Sequence, residues 1–215
     1  MSVFISLEGP DGSGKSLQMS LLKDALTREG YAFIHSREPG GTPIGEQIRN
    51  VLLDPSNSAM AAECEAYLYA ASRAQHVQEK ILPALKEGKI VLLDRFVDSS
   101  LVYQGIGRDL GIQKVYNLNL TATGGLLPDV TFMVYIDYEE GLRRKKAQTG
   151  HDLDRLENEQ AAFHRKVNEG YLTIAKRFPE RIRLIDGTQS VEKVHQQIWA
   201  LLMELFKEKN IHPSV

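Results

Sequence analysis

The stretch Gly9-Pro10-Asp11-Gly12-Ser13-Gly14-Lys15-Ser16 fits the pattern G-x-x-x-x-G-K-[ST], the phosphate-binding loop, or P-loop, of nucleotide-binding proteins. An apolar run from Val3 to Leu7 precedes it, and Leu17 to Leu26 has the spacing of an amphipathic helix. A strand, a loop and a helix in this order aim backbone amides at an anion. The pattern predicts that residues 9–16 bind ATP; a glycine-rich turn without a ligand is the alternative.

Two side chains of the P-loop carry specific chemistry. The ammonium group of Lys15 is expected to reach the β- and γ-phosphates, and the hydroxyl of Ser16 to ligate Mg²⁺. The magnesium ion that travels with the nucleotide is the only metal cofactor that the sequence implies.

Composition sets the broad class of protein. The chain has 215 residues, of which 42% are hydrophobic and 25% charged, and its net charge is -2. These values are typical of one globular domain, 1–215, and do not indicate a nucleic-acid binder. The single cysteine, Cys64, excludes an intramolecular disulfide framework and is expected to be a buried small hydrophobic residue in a helix. With no signal peptide and no membrane-spanning run expected, the predicted location is the cytoplasm.

Strand and helix patterns alternate along the chain, which predicts an α/β fold with a parallel sheet covered on both faces. The predicted strands are 3–7, 31–36, 90–93, 130–136 and 181–185. The predicted helices are 17–26, 44–53, 59–86 (perturbed or ended near Pro83), 139–146, 154–177 and 191–207, with further helical stretches broken by glycines between residues 96 and 124.

Charged residues follow several of these strands. Besides the P-loop, Arg37-Glu38, Asp94-Arg95 and Asp137 stand at carboxyl ends of strands, the edge at which open α/β sheets bind ligands. Any one of them alone fits a solvated surface equally well. Their convergence on one edge favours a binding site.

The kind of P-loop protein follows from what accompanies the loop. The chain has no Asn-Lys-x-Asp, which a GTPase needs to read guanine. Its third strand ends in Asp94-Arg95 rather than in the Asp-Glu expected of a large motor ATPase. A cation at that place suits a small kinase whose acceptor carries its own phosphate, with Arg37, Arg73 and Arg95 as candidate clamps.

Several motifs in family order resemble those of the thymidylate kinase family, and Arg-Glu-Pro-Gly-Gly combined with Tyr-Gln-Gly is specific to it. Besides the P-loop, the matching stretches are Arg37-Glu38-Pro39-Gly40-Gly41-Thr42, Tyr69-Ala70-Ala71-Ser72-Arg73-Ala74-Gln75-His76, Asp94-Arg95-Phe96, Ser99-Ser100-Leu101-Val102-Tyr103-Gln104-Gly105, Pro128-Asp129-Val130-Thr131 and Asp154-Arg155-Leu156-Glu157.

The resemblance implies a fold and a reaction. The fold is the three-layer P-loop nucleoside monophosphate kinase fold, with a parallel five-stranded sheet flanked by helices. The reaction is transfer of the γ-phosphate of ATP to dTMP, which forms dTDP for dTTP biosynthesis, both de novo and by salvage. The family also implies a homodimer, and Ala62, Ala66, Ala70 and Ala74 at fourfold spacing would allow close helix packing within the chain or across a dimer.

Site roles carry over from the family by position. Asp11 is implied to hold the acceptor's 3′-hydroxyl, Tyr69 to stack on thymine, and Tyr103 to crowd C2′ of the sugar. Asp11, Lys15 and Arg95 are the implied catalytic residues near the phosphates, and Asp94 joins Ser16 at the metal. The residues implied to bind dTMP are Arg37, Tyr69, Arg73 (to a base carbonyl), Arg95, Ser100 (at the pyrimidine edge), Tyr103 and Gln104.

The basic run Arg143-Arg144-Lys145-Lys146 has two interpretations. It is a solvated last helical turn that complements a helix dipole, or part of a lid, about 141–155, with a tip at Thr149-Gly150-His151. Because Gly12 rather than an arginine follows Asp11, the chain resembles the bacterial type, in which the lid supplies the catalytic arginine. Arg144 is the predicted residue, and Arg143, Lys146 and Arg155 are the other candidates.

Two alternatives remain at this point. One is a kinase for another deoxynucleoside monophosphate. The other is a protein that binds nucleotide but transfers no phosphate, against which the candidate acceptor arginines argue.

Overall fold

A computed structural model describes residues 2–146 and 154–213 of the chain. At its centre lies a five-stranded parallel sheet of order β2-β3-β1-β4-β5. The α/β fold predicted from the sequence is thereby confirmed. The strands are β1 (Val3–Glu8), β2 (Phe33–Arg37), β3 (Ile90–Asp94), β4 (Val130–Tyr135) and β5 (Ile182–Asp186).

The register of the strands brings the predicted strand-end residues together. Leu7 of β1 lies beside Asp94 of β3, which in turn lies beside Arg37 of β2. The P-loop begins two residues after Leu7. Three neighbouring strands therefore deliver the P-loop, Asp94 and Arg37 to one edge of the sheet.

Helices cover both faces of this sheet. The α-helices are α1 (Lys15–Arg28), α2 (Pro43–Leu53), α3 (Ala62–His76), α4 (Leu82–Lys86), α5 (Val97–Ser100), α6 (Ile112–Thr123), α7 (Tyr138–Lys146), α8 (Ala161–Arg177) and α9 (Val191–Glu208). Short π-helical segments, Val77–Ile81 and Leu101–Gly107, connect α3 to α4 and continue α5.

Two hydrophobic cores separate the three layers. Leu22 of α1 and Ile198 and Leu202 of α9 are buried against one face of the sheet. Val97 and Tyr171 are buried against the other face. The continuous apolar runs of β1, β3 and β4 fit this burial, because a central parallel strand faces a core on both sides.

Several element boundaries differ from the prediction. The second strand is Phe33–Arg37 rather than 31–36. The helical region before β3 begins at Ala62 rather than at residue 59, and the perturbation expected near Pro83 lies one turn earlier, in the π-helical segment 77–81. Pro83 itself is the second residue of α4, directly after this segment, and as a proline it has no N–H to donate to the preceding turn.

The helix predicted from Asp154 begins only at Ala161. The Asp154 carboxylate accepts from the Glu157 N–H at 2.8 Å, and the Glu157 carboxylate accepts from the Asp154 N–H at 3.1 Å. This reciprocal pattern is that of a capping box, which starts a helical turn, and the Asn158 N–H donates to the Asp154 carbonyl oxygen at 3.0 Å. The turn is not continuous with α8, so the prediction of a single helix from Asp154 was wrong.

The prediction for Cys64 was wrong, because its side chain is exposed. Glu65, the next residue of α3, faces inward and is buried. Successive helical residues point about 100° apart, so Cys64 is turned outward. Within the described residues, no helix is long and apolar enough to cross a membrane.

Candidate active site

The P-loop approaches two other backbone segments more closely than a side chain permits. A Cβ on Gly9, whose φ is 141°, would lie 2.0 Å from the Val134 carbonyl oxygen. A Cβ on Gly12, whose φ is 77°, would lie 2.5 Å from the Gly141 carbonyl oxygen. Glycine at these positions therefore lets the loop lie against β4 and α7.

Lys15 opens α1 and is folded back over the loop. Its ammonium nitrogen donates to the carbonyl oxygens of Gly9 (2.8 Å) and Pro10 (2.9 Å). The N–H groups of the first helical turn have no partners within the helix. The loop thus presents a buried cation and a helix N-terminus to a phosphate group, as the motif predicts.

A cavity opens beside the P-loop, at the carboxyl edge of the sheet. Asp11 and Asp94 line it on the P-loop side. Every residue that the sequence implies for dTMP lies on its walls: Arg37, Tyr69, Arg73, Arg95, Ser100, Tyr103 and Gln104. The fold brings together residues from four separate stretches of the chain.

Arg95 links this cavity to the P-loop. Its guanidinium donates to Asp11 Oδ1 (2.8 Å), to the Gly9 carbonyl oxygen (3.2 Å) and to the Tyr171 hydroxyl (2.6 Å). It also lies 5.5 Å from the ring centroid of Tyr103. The backbone of Arg95 has a φ of 66°, a conformation that non-glycine residues rarely adopt and that is common at functional sites.

The carboxylate of Asp11 is held in its charged form. Burial alone raises its pKa, but the positive charges of Arg95, Lys15 and Lys145 outweigh burial and lower the pKa below its usual value. At neutral pH Asp11 is therefore an acceptor for hydrogen bonds from hydroxyl groups.

Arg73 is anchored by four hydrogen bonds on the buried side of the cavity. Nε donates to Glu38 (2.7 Å), Nη1 donates to Ser100 (2.9 Å) and to Asn119, and Nη2 donates to the Phe96 carbonyl oxygen (2.9 Å). A guanidinium has five N–H groups. The second N–H of Nη2 makes no hydrogen bond with the described residues, so it is available to a ligand.

Arg37 and a second arginine stand at the open end of the cavity. Arg37 pairs with Glu46 at 3.2 Å. Arg49 donates to the Pro39 carbonyl oxygen (2.9 Å) and also lines the cavity. Arg49 was not predicted from the sequence, since no motif distinguishes it from the other charged residues of α2.

Glu65 is a second residue that the sequence analysis missed. Its buried carboxylate accepts from Gln104 (2.9 Å), Arg155 (2.7 Å) and Arg108 (3.0 and 3.2 Å). A signal was present: Glu65 precedes Tyr69 by four residues on α3, as Tyr69 precedes Arg73. Residues at this spacing share one helix face.

The lid cations occupy different environments. Arg143 and Arg144 both donate to Glu140, and Arg144 also donates to the Gly187 carbonyl oxygen at 3.0 Å. Lys145 lies 3.8 Å from Asp11 and 2.6 Å from Glu157. Among the described cations of the predicted lid, the one that lies near the P-loop carboxylate is therefore Lys145, which was not singled out from the sequence.

The remaining candidate cations, Lys146 and Arg155, stand before and after the predicted lid tip in the sequence. Lys146 lines a second groove, which Pro10 and Asp11 also line. Arg155 is buried, with its Nε donating to the Leu52 carbonyl oxygen at 2.7 Å. The predicted tip, residues 149–151, lies outside the described residues.

Glu8, at the end of β1, holds the loop that carries Arg95. Its buried carboxylate accepts from the Phe96 N–H (2.7 Å), the Ser99 N–H (3.2 Å) and the Ser99 hydroxyl (2.6 Å). Burial, with a further contribution from the negative charge of Asp98, raises the pKa of Glu8 to about 7 despite the opposing effect of Arg95.

This pKa has a consequence for stability. The unfolded chain loses the Glu8 proton near pH 4.5, whereas the folded protein keeps it until about pH 7. Stability from this group is therefore complete below pH 4.5 and falls as the pH rises to 7. We expect Glu8→Gln, which keeps an acceptor for Phe96, to reduce this fall by on the order of 1 kcal/mol. Urea unfolding at pH 5 and pH 8 gives the free energy of unfolding of both proteins. The same loss of stability between the two pH values in both proteins would contradict this expectation.

The fold and the site define a class of protein. A P-loop at the end of β1 lies beside an arginine-lined cavity at the same sheet edge, as expected for a P-loop nucleoside monophosphate kinase. The family description "Thymidylate kinase" matches residues 7–198. The chain belongs to the thymidylate kinase family.

Individual relatives agree along almost the whole chain. A thymidylate kinase from Bacillus licheniformis is 46% identical over 209 residues, covering 97% of this chain and 99% of the relative. One from Thermoanaerobacter sp. (strain X514) is 53% identical over 195 residues, covering 91% and 94%. The crystal structure of thymidylate kinase from Ehrlichia chaffeensis superposes with a TM-score of 0.74 at 30% identity, covering 94% of this chain and 98% of that one.

Proposed function

We propose that this chain transfers the γ-phosphate of ATP to dTMP and so forms dTDP, the precursor of dTTP. The observation that carries the proposal is the cavity beside the P-loop. Arg37 and Arg95 lie at its open end, and a hydrogen-bond donor on Arg73 and an acceptor on Gln104 lie at its deep end. Phosphoryl transfer between two phosphates depends on positioning and on neutralising charge, and both needs are supplied at this edge of the sheet.

The deep end of the cavity fits the pyrimidine base. The available N–H of Arg73 is a donor, and Gln104 Oε1 is a buried acceptor with no partner among the described residues. Thymine offers the complement, a carbonyl oxygen at C4 next to an N3–H. Tyr69 supplies a ring face on which the base stacks.

The open end fits the sugar and the acceptor phosphate. Arg37 and Arg95 provide guanidinium groups that pair with phosphate oxygens, and ionised Asp11 accepts a hydrogen bond from the 3′-hydroxyl. Tyr103 lies under Arg95 and narrows the space at C2′. An oxygen of the dTMP phosphate then attacks the γ-phosphorus, and the β-phosphate oxygen of ADP leaves.

The P-loop, residues 9–16, holds ATP, with Lys15 on the β- and γ-phosphates. Asp94 Oδ1 is buried and has no hydrogen-bond partner among the described residues. With the Ser16 hydroxyl it offers the hard oxygen ligands that Mg²⁺ prefers, so these residues fit the ion. When bound, the ion neutralises negative charge on the phosphates.

The lid, about 141–155, supplies a further cation, and the contacts favour Lys145. We expect Lys145→Met to lower kcat about 100-fold, because a cation beside the P-loop carboxylate is lost. Arg144→Ala is expected to lower kcat less than about tenfold, since Arg144 bonds Glu140 and Gly187 instead. Steady-state rates with dTMP saturating compare the two, and the opposite order would restore Arg144 as the catalytic lid residue.

The experiment that tests the function is a coupled ADP-release assay with ATP, Mg²⁺ and a panel of nucleoside monophosphates. Preference for dTMP over dUMP and dCMP is the expected result. Preferred turnover of another monophosphate would support phosphoryl transfer but refute the proposed binding of thymine in the base pocket. Absence of turnover with all of them would leave only nucleotide binding.

We also propose that the protein is a cytoplasmic homodimer. The exposed apolar side chains on α2 and α3 include Ile44 (50%), Val51 (45%) and Tyr67 (59%), which are candidates for a contact with a second copy of the chain. Ala66 and Ala70 are buried within the chain, so the dimer would use the neighbouring stripe of α3. The location follows from the substrates, since ATP and dTMP are charged and do not cross membranes unaided.

Tyr67→Glu is expected to convert the dimer to a monomer, because a charge would be buried at the contact without a partner. A concentration series by analytical ultracentrifugation measures this. Leu184→Glu, at a residue 48% exposed on β5, is the matched control and should leave the dimer intact. A wild-type protein that is monomeric throughout the series would refute the dimer.

A further inference from the structure

Glu65 and Gln104 meet at the wall of the base pocket. The carboxylate oxygen Oε1 of Glu65 lies 2.9 Å from Nε2 of Gln104, and both side chains are buried. We infer that Glu65 is a positioning residue that fixes the orientation of the Gln104 amide, and that this orientation makes the pocket select keto pyrimidines over amino pyrimidines. The inference rests on the proposed function, because it assumes that the cavity binds dTMP.

The orientation of the amide follows from the chemistry of its partner. A glutamine amide donates through nitrogen and accepts through oxygen, whereas an ionised carboxylate only accepts. Burial raises the pKa of Glu65, but hydrogen bonds from Arg108, Gln104 and Arg155 lower it below its ordinary value. Glu65 is therefore ionised, and the Gln104 nitrogen must face it.

The carboxylate itself is fixed in place. Its Oε1 accepts from Gln104 and from Arg108 Nε (3.2 Å), and its Oε2 accepts from Arg108 Nη2 (3.0 Å) and Arg155 Nη2 (2.7 Å). Two arginines hold it from separate segments, so it cannot rotate without breaking charge-assisted hydrogen bonds. Because the Gln104 amide donates to this fixed carboxylate, its orientation is fixed as well.

The other end of the amide is then an acceptor without a partner. Gln104 lines the cavity, and its Oε1 makes no hydrogen bond with the described residues. The N3–H of thymine or uracil satisfies this oxygen. Cytosine has an unprotonated N3, which would place two acceptors together, and its amino group would meet the Arg73 donor. A flipped Gln104 amide would remove the first of these conflicts.

The test compares nucleotide affinities rather than rates. Dissociation constants of dTMP and dCMP are measured by calorimetry on one preparation of each protein, and their ratio does not depend on the folded fraction. Glu65→Gln, whose amide can donate as well as accept, is expected to reduce the preference for dTMP over dCMP at least tenfold. Arg108→Lys is the control, because it alters the same cluster but keeps both a positive charge beside Glu65 and the Glu65 carboxylate, and its ratio should stay within about twofold of wild type.

A second pair of variants covers a folding defect in Glu65→Gln. Glu65→Asp and Glu65→Asn match in size, and only the aspartate keeps an obligatory acceptor. The expected result is a ratio near wild type for the aspartate and a reduced ratio for the asparagine. Equal ratios in the members of both pairs would overturn the inference. A wild-type protein that does not bind dTMP would instead refute the proposed function.

Discussion

Arg95→Met is expected to lower kcat about 10³-fold, one of the two largest effects that the structure predicts. The guanidinium lies between Asp11 of the P-loop and the ring of Tyr103. In the proposed reaction it would lie beside both the accepting phosphate and the transferred phosphate. Methionine keeps much of the apolar stem and removes the charge. We expect the KM for dTMP to rise as well, because in the proposed complex Arg95 pairs with the acceptor phosphate.

Tyr171→Phe is the control for this variant. It removes the 2.6 Å hydrogen bond to Arg95 but leaves the positive charge in place. The expected loss in kcat is less than about tenfold, as for one hydrogen bond. Comparable losses in the two variants would mean that packing around Arg95, and not its charge, is responsible.

Lys15→Met is expected to lower kcat by about 10³-fold or more while dTMP binding persists. The Lys15 ammonium is the buried cation proposed to bind the β- and γ-phosphates. Among the described residues its hydrogen bonds go to the carbonyl oxygens of Gly9 and Pro10. Because Lys15 does not line the dTMP cavity, the acceptor site should remain intact.

Single-turnover rates and dTMP calorimetry on the same preparation separate these effects. A normal dTMP dissociation constant with lost turnover is the expected result. Loss of both would indicate a collapsed P-loop, since the Lys15 ammonium also bridges Gly9 and Pro10.

Much of the fold was predictable from local patterns. The short apolar run before the P-loop is typical of a buried strand, and the loop needs a helix after it. The alternation that follows gives a parallel sheet. Strand β2 was misplaced because Tyr31 and Ala32 are as apolar as the strand that they precede. The start of α8 was misplaced because the capping pattern of Asp154 and Glu157 marks a separate helical turn that ends before α8 begins at Ala161.

The site was predictable where motifs carried it. The residues implied for dTMP came from the family resemblance, and the structure places them around one cavity. Lys145 was not distinguishable from its basic neighbours in the sequence. Which of these side chains points toward Asp11 depends on how α7 is rotated against the P-loop, and that is set by the tertiary fold. Glu65 and Arg108 lie 43 residues apart, and only the tertiary fold shows that they meet.

The position of Arg95 determines how kinetic losses in this enzyme must be apportioned. One guanidinium contacts the P-loop through Asp11 and faces the cavity beside Tyr103, so donor and acceptor sites share a structural element. A loss of activity measured on an Arg95 variant therefore cannot be divided into a contribution from the ATP site and a contribution from the dTMP site. A double-mutant cycle with Asp11 gives their mutual dependence, which neither single variant contains.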